Sequence, residues 1–300
     1  MPTGPSAYLV GRKAVQLTDS GTDVTDSLIA AQRLDKWKIV NRRFRHTTFA
    51  NVSFMDTELK DTEFMDCAFL NCYFRRARIV TCSFVGSKFY GCEFPKASVQ
   101  SSNFRYAKFF SCAIPFDEME HNLPPEPNLR EEVALGLAIA ADERSWGAEA
   151  RQYLLSAIAA REDHLVAAVQ GRSTWYKEHY PPLRRLGALL ALAASKLNGQ
   201  LWGHGERWTV LLRNLIILAF LVFPALLWFV RSELQVAGDG TLQFGDVLWL
   251  SITTIVPVSA VSSVSASGAT SRAVLTFEAF AGIVIGGLFV TLLLRSVVKR

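Results

Sequence analysis

The sequence predicts a mixed fold: a β-solenoid in the N-terminal part, helices in the middle, and a membrane-embedded module with two spanning helices at the C-terminal end. Three observations predict it. A large apolar residue recurs every five positions over a long early stretch, and a small residue sits two places before nearly all of these. Two apolar runs of the ~20 residues that a bilayer requires lie beyond Arg207, in a chain of 300 residues that is half hydrophobic.

Counting in fives from Leu34, the positions run Leu34, Ile39, Phe44, Phe49, Phe54 and Leu59, and so on to Phe104, Phe109 and Ile114; all seventeen are large and apolar. In a half-hydrophobic chain such a run arises by chance with odds on the order of one in 10⁵, so the period is real. A helix needs spacings of three and four and a strand needs two. Period five implies a solenoid that turns a corner every five residues. Two places before the anchors, from Thr47 to Cys112, every residue is small or β-branched, and all five cysteines (Cys67, Cys72, Cys82, Cys92, Cys112) fall there. A position that takes Ala, Ser, Thr, Val and Cys interchangeably is a tight interior slot, in which a free cysteine behaves as a small hydrophobe. No Cys-x-x-Cys pair argues for metal or redox chemistry, and no cofactor is expected.

A large residue every five positions with a small one two before it resembles the pentapeptide-repeat family over residues 44–114, extending back towards Leu34. The resemblance implies a right-handed, four-sided β-solenoid with four repeats per coil. Trp37 and Arg42 are too large for the slot, so the first coil is expected to be irregular or a cap. Some members of the family mimic DNA with an acidic face. Residues 41–114 hold eleven Lys/Arg against six Asp/Glu, the wrong sign for a mimic. The basic residues are scattered, and no nucleic-acid partner is expected.

Pro115 breaks the repeat, and residues 115–127 read as a linker rich in acid and proline. Helices are predicted over 129–144, with Asn128 as N-cap and Glu131 closing a capping box, and over 148–170. Residues 171–182 interrupt, ending in Pro181-Pro182. Residues 183–197, with Arg184 and Arg185 ahead of Leu186, Leu189, Leu190 and Leu192, are too short to span. An amphipathic helix at the membrane surface and a helix packed on soluble neighbours both fit. His164, His179 and His204 have no partners at metal-ligand spacing and read as structural or surface residues.

The first span is residues 208–230, with Arg213 and Asn214 near its start placed to reach headgroups and Pro224 as a source of a kink that membranes tolerate. The second is 273–294. Arg184, Arg185, Lys196 and Arg207 precede the first, and Arg295, Lys299 and Arg300 follow the second. The positive-inside rule then puts both termini in the cytoplasm of a multi-pass protein of the cell membrane, a bacterial inner membrane being expected. Residues 1–18 lack a long apolar run, so no cleavable signal peptide is expected. Between the spans, residues 244–254 form a short apolar stretch that reads as a re-entrant helix. The expected domains are an N-terminal segment 1–33, a solenoid 34–114, a linker and helical region 115–207, and a pore domain 208–300.

Span, re-entrant helix, extended loop and span resemble the two-transmembrane, voltage-independent cation-channel family over residues 209–300. Asp246 to Thr254 resembles its pore helix. Glu278-Ala279-Phe280-Ala281-Gly282 followed by Leu288-Phe289-Val290 resembles its inner helix, and Leu201-Trp202-Gly203-His204-Gly205-Glu206-Arg207 resembles the approach to the outer helix in proteins that fuse pentapeptide repeats to this module. The resemblance implies an oligomer, a tetramer, lying in membrane lipid and passing small inorganic ions, with a cytoplasmic protein partner open to the repeat domain. The filter departs from the family. Thr253, Thr254, Ile255, Val256, Pro257 and Val258 contain no glycine, and none follows until Gly268. Valine and proline do not adopt the positive φ values that a potassium filter uses, so a cation pore that is not potassium-selective is expected. The alternative is a non-conducting, membrane-anchored scaffold that uses the pore module only to oligomerise. Gly282, Gly286 and Gly287 on the inner helix are candidates for a gating hinge or for close helix packing. Glu278 is a functional candidate as an intramembrane carboxylate, or else a structural hydrogen-bond partner behind the pore helix. No nucleophile–base pair, metal spacing or phosphate loop supports an enzyme.

Overall fold

The computed structural model describes residues 4–18, 23–236, 241–256 and 264–298, with side chains through 294. The chain divides into two compact units, Met1–Leu192 and Ala193–Val298.

The first unit is built on a parallel coil. Partners in neighbouring coils are twenty residues apart: Lys38 with Glu58, Arg43 with Glu63, Thr48 with Ala68. Twenty residues are four five-residue repeats, so each coil has four sides. Three sides carry ladders, through residues 44 and 64, through 39, 59, 79 and 99, and through 29, 49, 69, 89 and 109. The fourth is held by isolated bridges linking Arg33, Ser53, Tyr73, Glu93 and Ala113. The corners are made by one residue in each repeat. Every fifth residue from Asp26 to Ser111 has a positive φ, and half of these are Asn, Asp or Gly, which enter the left-handed region at least cost.

The anchors stack inside as four columns. Phe44, Phe64, Phe84 and Phe104 lie face to face with ring centroids 4.9–5.0 Å apart. Phe49, Phe69, Phe89 and Phe109 repeat this at 4.8–4.9 Å, and Phe54, Phe74 and Phe94 at 4.5–4.7 Å. Ile39, Leu59, Ile79 and Val99 form the aliphatic column, and all are buried. The small slot is more than space. Thr57 Oγ1 donates to the carbonyl of Leu34 at 2.7 Å, and Ser87 Oγ to that of Phe64 at 2.9 Å. The thiols of Cys67, Cys72, Cys92 and Cys112 donate to the carbonyls of Phe44, Phe49, Phe69 and Phe89 at 3.4–3.5 Å. Each bond reaches back 23 residues, tying one coil to the one before. All five cysteines are buried and unpaired by disulfide.

The coil extends beyond both predicted limits. Val24 and Ile29 continue the count backwards, and strands Val24–Thr25 and Ser27–Ala30 join the ladders. The coil holding Trp37 and Arg42, expected to be irregular, keeps the register, Lys38 with Glu58 and Arg43 with Glu63; the irregular pairing comes earlier, where Lys13 pairs with Ser27, an offset of fourteen rather than twenty. Arg42 does not fit its slot as a small residue does. Its guanidinium reaches the Thr18 carbonyl at 3.0 Å and lies 5.5 Å from the Phe44 ring centre. At the other end, residues 115–127 are not a free linker. They form helix α1 (Phe116–Met119) and a 3₁₀ turn, Glu120–Asn122. Met119, twenty residues beyond Val99, is buried in the same core. The Asn122 amide donates to the Val99 carbonyl at 2.9 Å and accepts the Ser102 N–H at 2.8 Å. It thereby repeats the slot bond one coil further on.

Helices α2 (Pro127–Glu143) and α3 (Gly147–Gln170) close this end, with Val133, Leu137 and Tyr153 in the solenoid core. The expected cap at Asn128 is corrected: the helix starts at Pro127 with Glu126 as N-cap and no side-chain capping bond. Proline at N1 costs nothing, because that N–H is unpaired in any helix. The Glu126 carboxylate is instead engaged by Arg105 at 2.6–3.1 Å, which holds it below the usual carboxylate range. A short helix α4 (Thr174–His179) follows, and His164 sits between the hydroxyls of Tyr176 and Tyr180 at 2.9 Å from each. Helix α5 (Pro182–Trp202) is longer than predicted and leaves Leu183, Leu186, Leu190 and Leu197 exposed.

Two outcomes follow from this packing. Phe69→Ala removes the middle of a stacked column and is expected to cost roughly 3–5 kcal/mol of stability, read by unfolding of the purified chain with circular dichroism. Burial pushes the thiol of Cys67 up to about 12 and that of Cys82 up to about 11. Thiolate is therefore scarce near neutral pH, and alkylation of native protein should be slow there, becoming complete only after denaturation.

Candidate functional site

The second unit is made almost wholly of apolar helix. Helix α6 (Trp208–Ile217) runs into a π turn at Leu218–Val222 and then into α7 (Phe223–Phe229). Together they make a 22-residue apolar stretch, Trp208–Phe229. Helix α8 (Phe244–Ile255) is twelve residues long. Helix α9 (Ala269–Val298) is unbroken across the predicted second span. Two stretches, Trp208–Phe229 and Ala269–Leu294, are long and apolar enough to cross a membrane. Only 28% and 17% of their most apolar windows is buried within the chain. Side chains such as Phe229, 88% exposed, face outwards.

Several polar contacts sit at the ends of these helices. Arg213 and Asn214, expected to reach headgroups, are engaged at the end of α5. They donate to the carbonyls that end α5, Asn214 Nδ2 to Gln200 at 2.7 Å and to Leu201 at 2.8 Å, and Arg213 to Gln200 at 3.1 Å. These carbonyls have no partner inside their own helix. After α7, strand Leu234–Val236 pairs antiparallel with Val264–Ala266, on the far side of α8, a two-stranded ladder that sequence reasoning missed. Glu233 caps α9: its carboxylate accepts the Ser271 N–H at 2.8 Å, and that bond holds it below the usual range. Helix α8 opens with a capping box in which Asp246 accepts the Gln243 N–H at 2.9 Å.

Helix α8 turns Val247, Leu250, Ser251 and Ile255 inwards, the i, i+3, i+4, i+8 face, and leaves Phe244 and Trp249 exposed. The predicted filter residues begin at its end. Thr253 Oγ1 donates back to the carbonyls of Trp249 and Leu250 at 2.9 and 3.0 Å, and Thr254 Oγ1 to that of Leu250 at 2.7 Å. The hydroxyl protons are spent inside the helix. Ile255 is the last helical residue, and Val256 is extended with φ −102° and ψ 108°. Pro257 and Val258 lie outside the described residues.

On α9, Gly282 and the glycines beyond it separate. A Cβ on Gly282 would collide with the backbone carbonyl of Ile255, with the Ile255 Cα only 3.0 Å away. Among the described residues, Gly286 and Gly287 have no atom outside their own stretch of helix backbone within 4 Å of such a Cβ. Glu278 is fully buried, and its Oε1 is hydrogen-bonded to Ser251 Oγ on α8. Ser251 also donates to the Ala219 carbonyl in the π turn at 3.1 Å. Sequence reasoning passed over Ser251, although a lone polar residue on the apolar face of a short helix was a visible signal. Among the described residues no group of three or more His, Cys, Asp or Glu is placed to hold a metal ion.

Comparison with solved structures finds pentapeptide-repeat proteins. One from the thylakoid lumen of Arabidopsis thaliana shares 19% identity, covering 51% of this chain and 94% of its own, with a TM-score of 0.33. HetL, involved in heterocyst differentiation regulation in the cyanobacterium Nostoc, shares 9% over 36% of this chain and 62% of its own at 0.22. QnrB1, a plasmid-mediated fluoroquinolone resistance protein, shares 12% over 35% and 83% at 0.18. No family model matches the chain, and no curated protein sequence matches it. The pentapeptide-repeat fold of the first unit stands on its own twenty-residue register and stacked columns.

The contrast between the glycines yields a test. Gly282→Ala is expected to cost about 1–3 kcal/mol through forced displacement of α8. Gly286→Ala should be neutral or stabilising by up to about 1 kcal/mol unless a second copy of the chain packs there. Thermal unfolding in detergent, with and without lipid, reads both.

Proposed function

We propose that the chain is a subunit of an oligomeric cation channel in the membrane, four copies surrounding one axis, with the solenoid and both termini on the cytoplasmic side. One observation carries the reading: α8, an apolar helix of twelve residues, is wedged between two helices long enough to cross a bilayer. At 1.5 Å per residue it reaches about 18 Å, short of the ~30 Å hydrocarbon layer. An apolar helix that cannot span, held by two that can, suits a re-entrant segment. Its C-terminal end is pinned on α9 through Gly282, and there the chain turns extended. Extended backbone at that depth is tolerated only where protein or water covers it.

Membrane lipid covers the exposed apolar flanks in this reading. The leucine face of α5, with no Asp or Glu between Glu178 and Glu206, suits the headgroup layer at the entry to the first span. The solenoid supplies a stiff cytoplasmic platform for a protein partner. The absence of glycine between Thr254 and Gly268 makes the filter unlike a potassium filter, so the permeant species are small cations with weak discrimination among them. The scaffold reading draws on the inward-turned hydroxyls of Thr253 and Thr254, which offer no free proton to a pore.

Recording from purified protein in planar bilayers tests the proposal. The expected result is a cation current with less than about tenfold preference for potassium over sodium. A stronger preference would contradict the filter reading. Silence under varied voltage, calcium and lipid would favour the scaffold.

A further inference from the structure

The π turn in the first span leaves one carbonyl without a donor from its own helix. The Ala219 carbonyl would normally receive the N–H of residue 223 in an α-turn or of residue 224 in a π-turn. The Phe223 N–H is committed to Leu218, and residue 224 is proline, which has no N–H. Ser251 on α8 fills the gap, donating to Ala219 at 3.1 Å. A serine hydroxyl has one proton, yet Ser251 Oγ is also hydrogen-bonded to Glu278 Oε1 on α9. Both bonds form together only if the second proton comes from the carboxyl. The site around it agrees. Glu278 is fully buried, and its other oxygen has no hydrogen-bond partner among the described residues. A bare carboxylate in that position would be far more costly than a neutral carbonyl oxygen. The other ionisable side chains described on α6 to α9 are Arg213, Asp246 and Arg272, and each is bonded elsewhere: to Asn214 and the Gln200 carbonyl, to the Gln243 N–H, and to the carbonyls of Ala266 and Ser267.

We propose that Glu278 is the donor in this pair, its carboxyl keeping the proton and giving it to Ser251, whose own proton goes on to the Ala219 carbonyl. The result is a two-bond relay that ties the second span, the short helix and the π turn of the first span at one buried point. Ser251 lies one turn before Ile255, where Gly282 presses on the backbone. The relay and that contact together fix the height and rotation of α8, and so the start of the extended segment at Val256. Glu278 is in this sense a positioning residue for the predicted filter. That consequence rests on the pore reading, whereas the assignment of the proton does not.

The test is the infrared absorption of the full chain in lipid nanodiscs near neutral pH. The wild type is expected to show the C=O stretch of a buried carboxylic acid, lost in Glu278→Gln and shifted in Ser251→Ala, where the acceptor is gone. Glu278→Gln should keep the thermal midpoint of the wild type, because its amide donates in place of the acid. Glu278→Ala should lower it. The proposal is overturned if the acid band is missing, if Glu278→Gln removes carboxylate absorption instead, or if Glu278→Gln is as destabilised as Glu278→Ala or fails to fold. A chain that shows the band but carries no current in bilayers would sink the pore reading and leave the relay standing.

Discussion

A coil of four short parallel strands holds together only if each corner residue accepts a positive φ and still gives its N–H to the next coil. Both conditions are met from Asp26 to Gly91. The corner N–H groups reach carbonyls nineteen residues on, as Asp56 does to Arg75 and Arg76 to Pro95. Bonds on the corners from Asp26 to Gly91 over-determine a conformation that costs an ordinary side chain roughly 1–2 kcal/mol, which is why Lys36 and Arg76 are found there beside Asp and Asn. The rest follows from the corner. It turns one residue per repeat into the core, sets the twenty-residue register, and brings each ring to stacking distance of the ring before it. The slot hydroxyls and thiols then satisfy interior carbonyls that would otherwise be costly to bury.

The second unit answers the same requirement, that buried backbone polar groups be paired, by different means. In α6 and α7 the proline removes a donor, the helix relaxes into a π turn, and a side chain from another helix makes good the loss. Prolines are tolerated in membrane helices on this condition. The carbonyls ending α5 are taken by Asn214 and Arg213, and the amino terminus of α9 by Glu233. Asn214, Arg213, Glu233 and Ser251 are thus placed where the backbone lacks partners.

How much of this was legible depends on whether a feature repeats. The anchors and the slot were, because packing against a neighbouring coil imposes the same residue type every five positions. The coil ends were obscured for particular reasons. Lys13 pairs with an offset of fourteen, Trp37 and Arg42 occupy slots meant for small residues, and the proline-rich segment after Ile114 hides Met119 and Asn122, which keep the period. The cap at Asn128 was misplaced because Pro127 begins the helix and Glu126 is drawn to Arg105. In the second unit the lengths and order of the helices were readable from hydropathy. The relay was not, since it joins residues 27 and 32 positions apart through a carbonyl that only the π turn sets free. The separation of Gly282 from Gly286 and Gly287 likewise depends on which glycine faces Ile255, a matter of helix rotation that spacing alone leaves open.

Four subunits around one axis would give the exposed faces of α8, Trp249 among them, a partner that a single chain does not supply. Native mass spectrometry of the full chain released from lipid nanodiscs measures this directly. The account predicts one dominant species of four chains, kept after dilution. A single chain, stable and monodisperse in the bilayer, would contradict it.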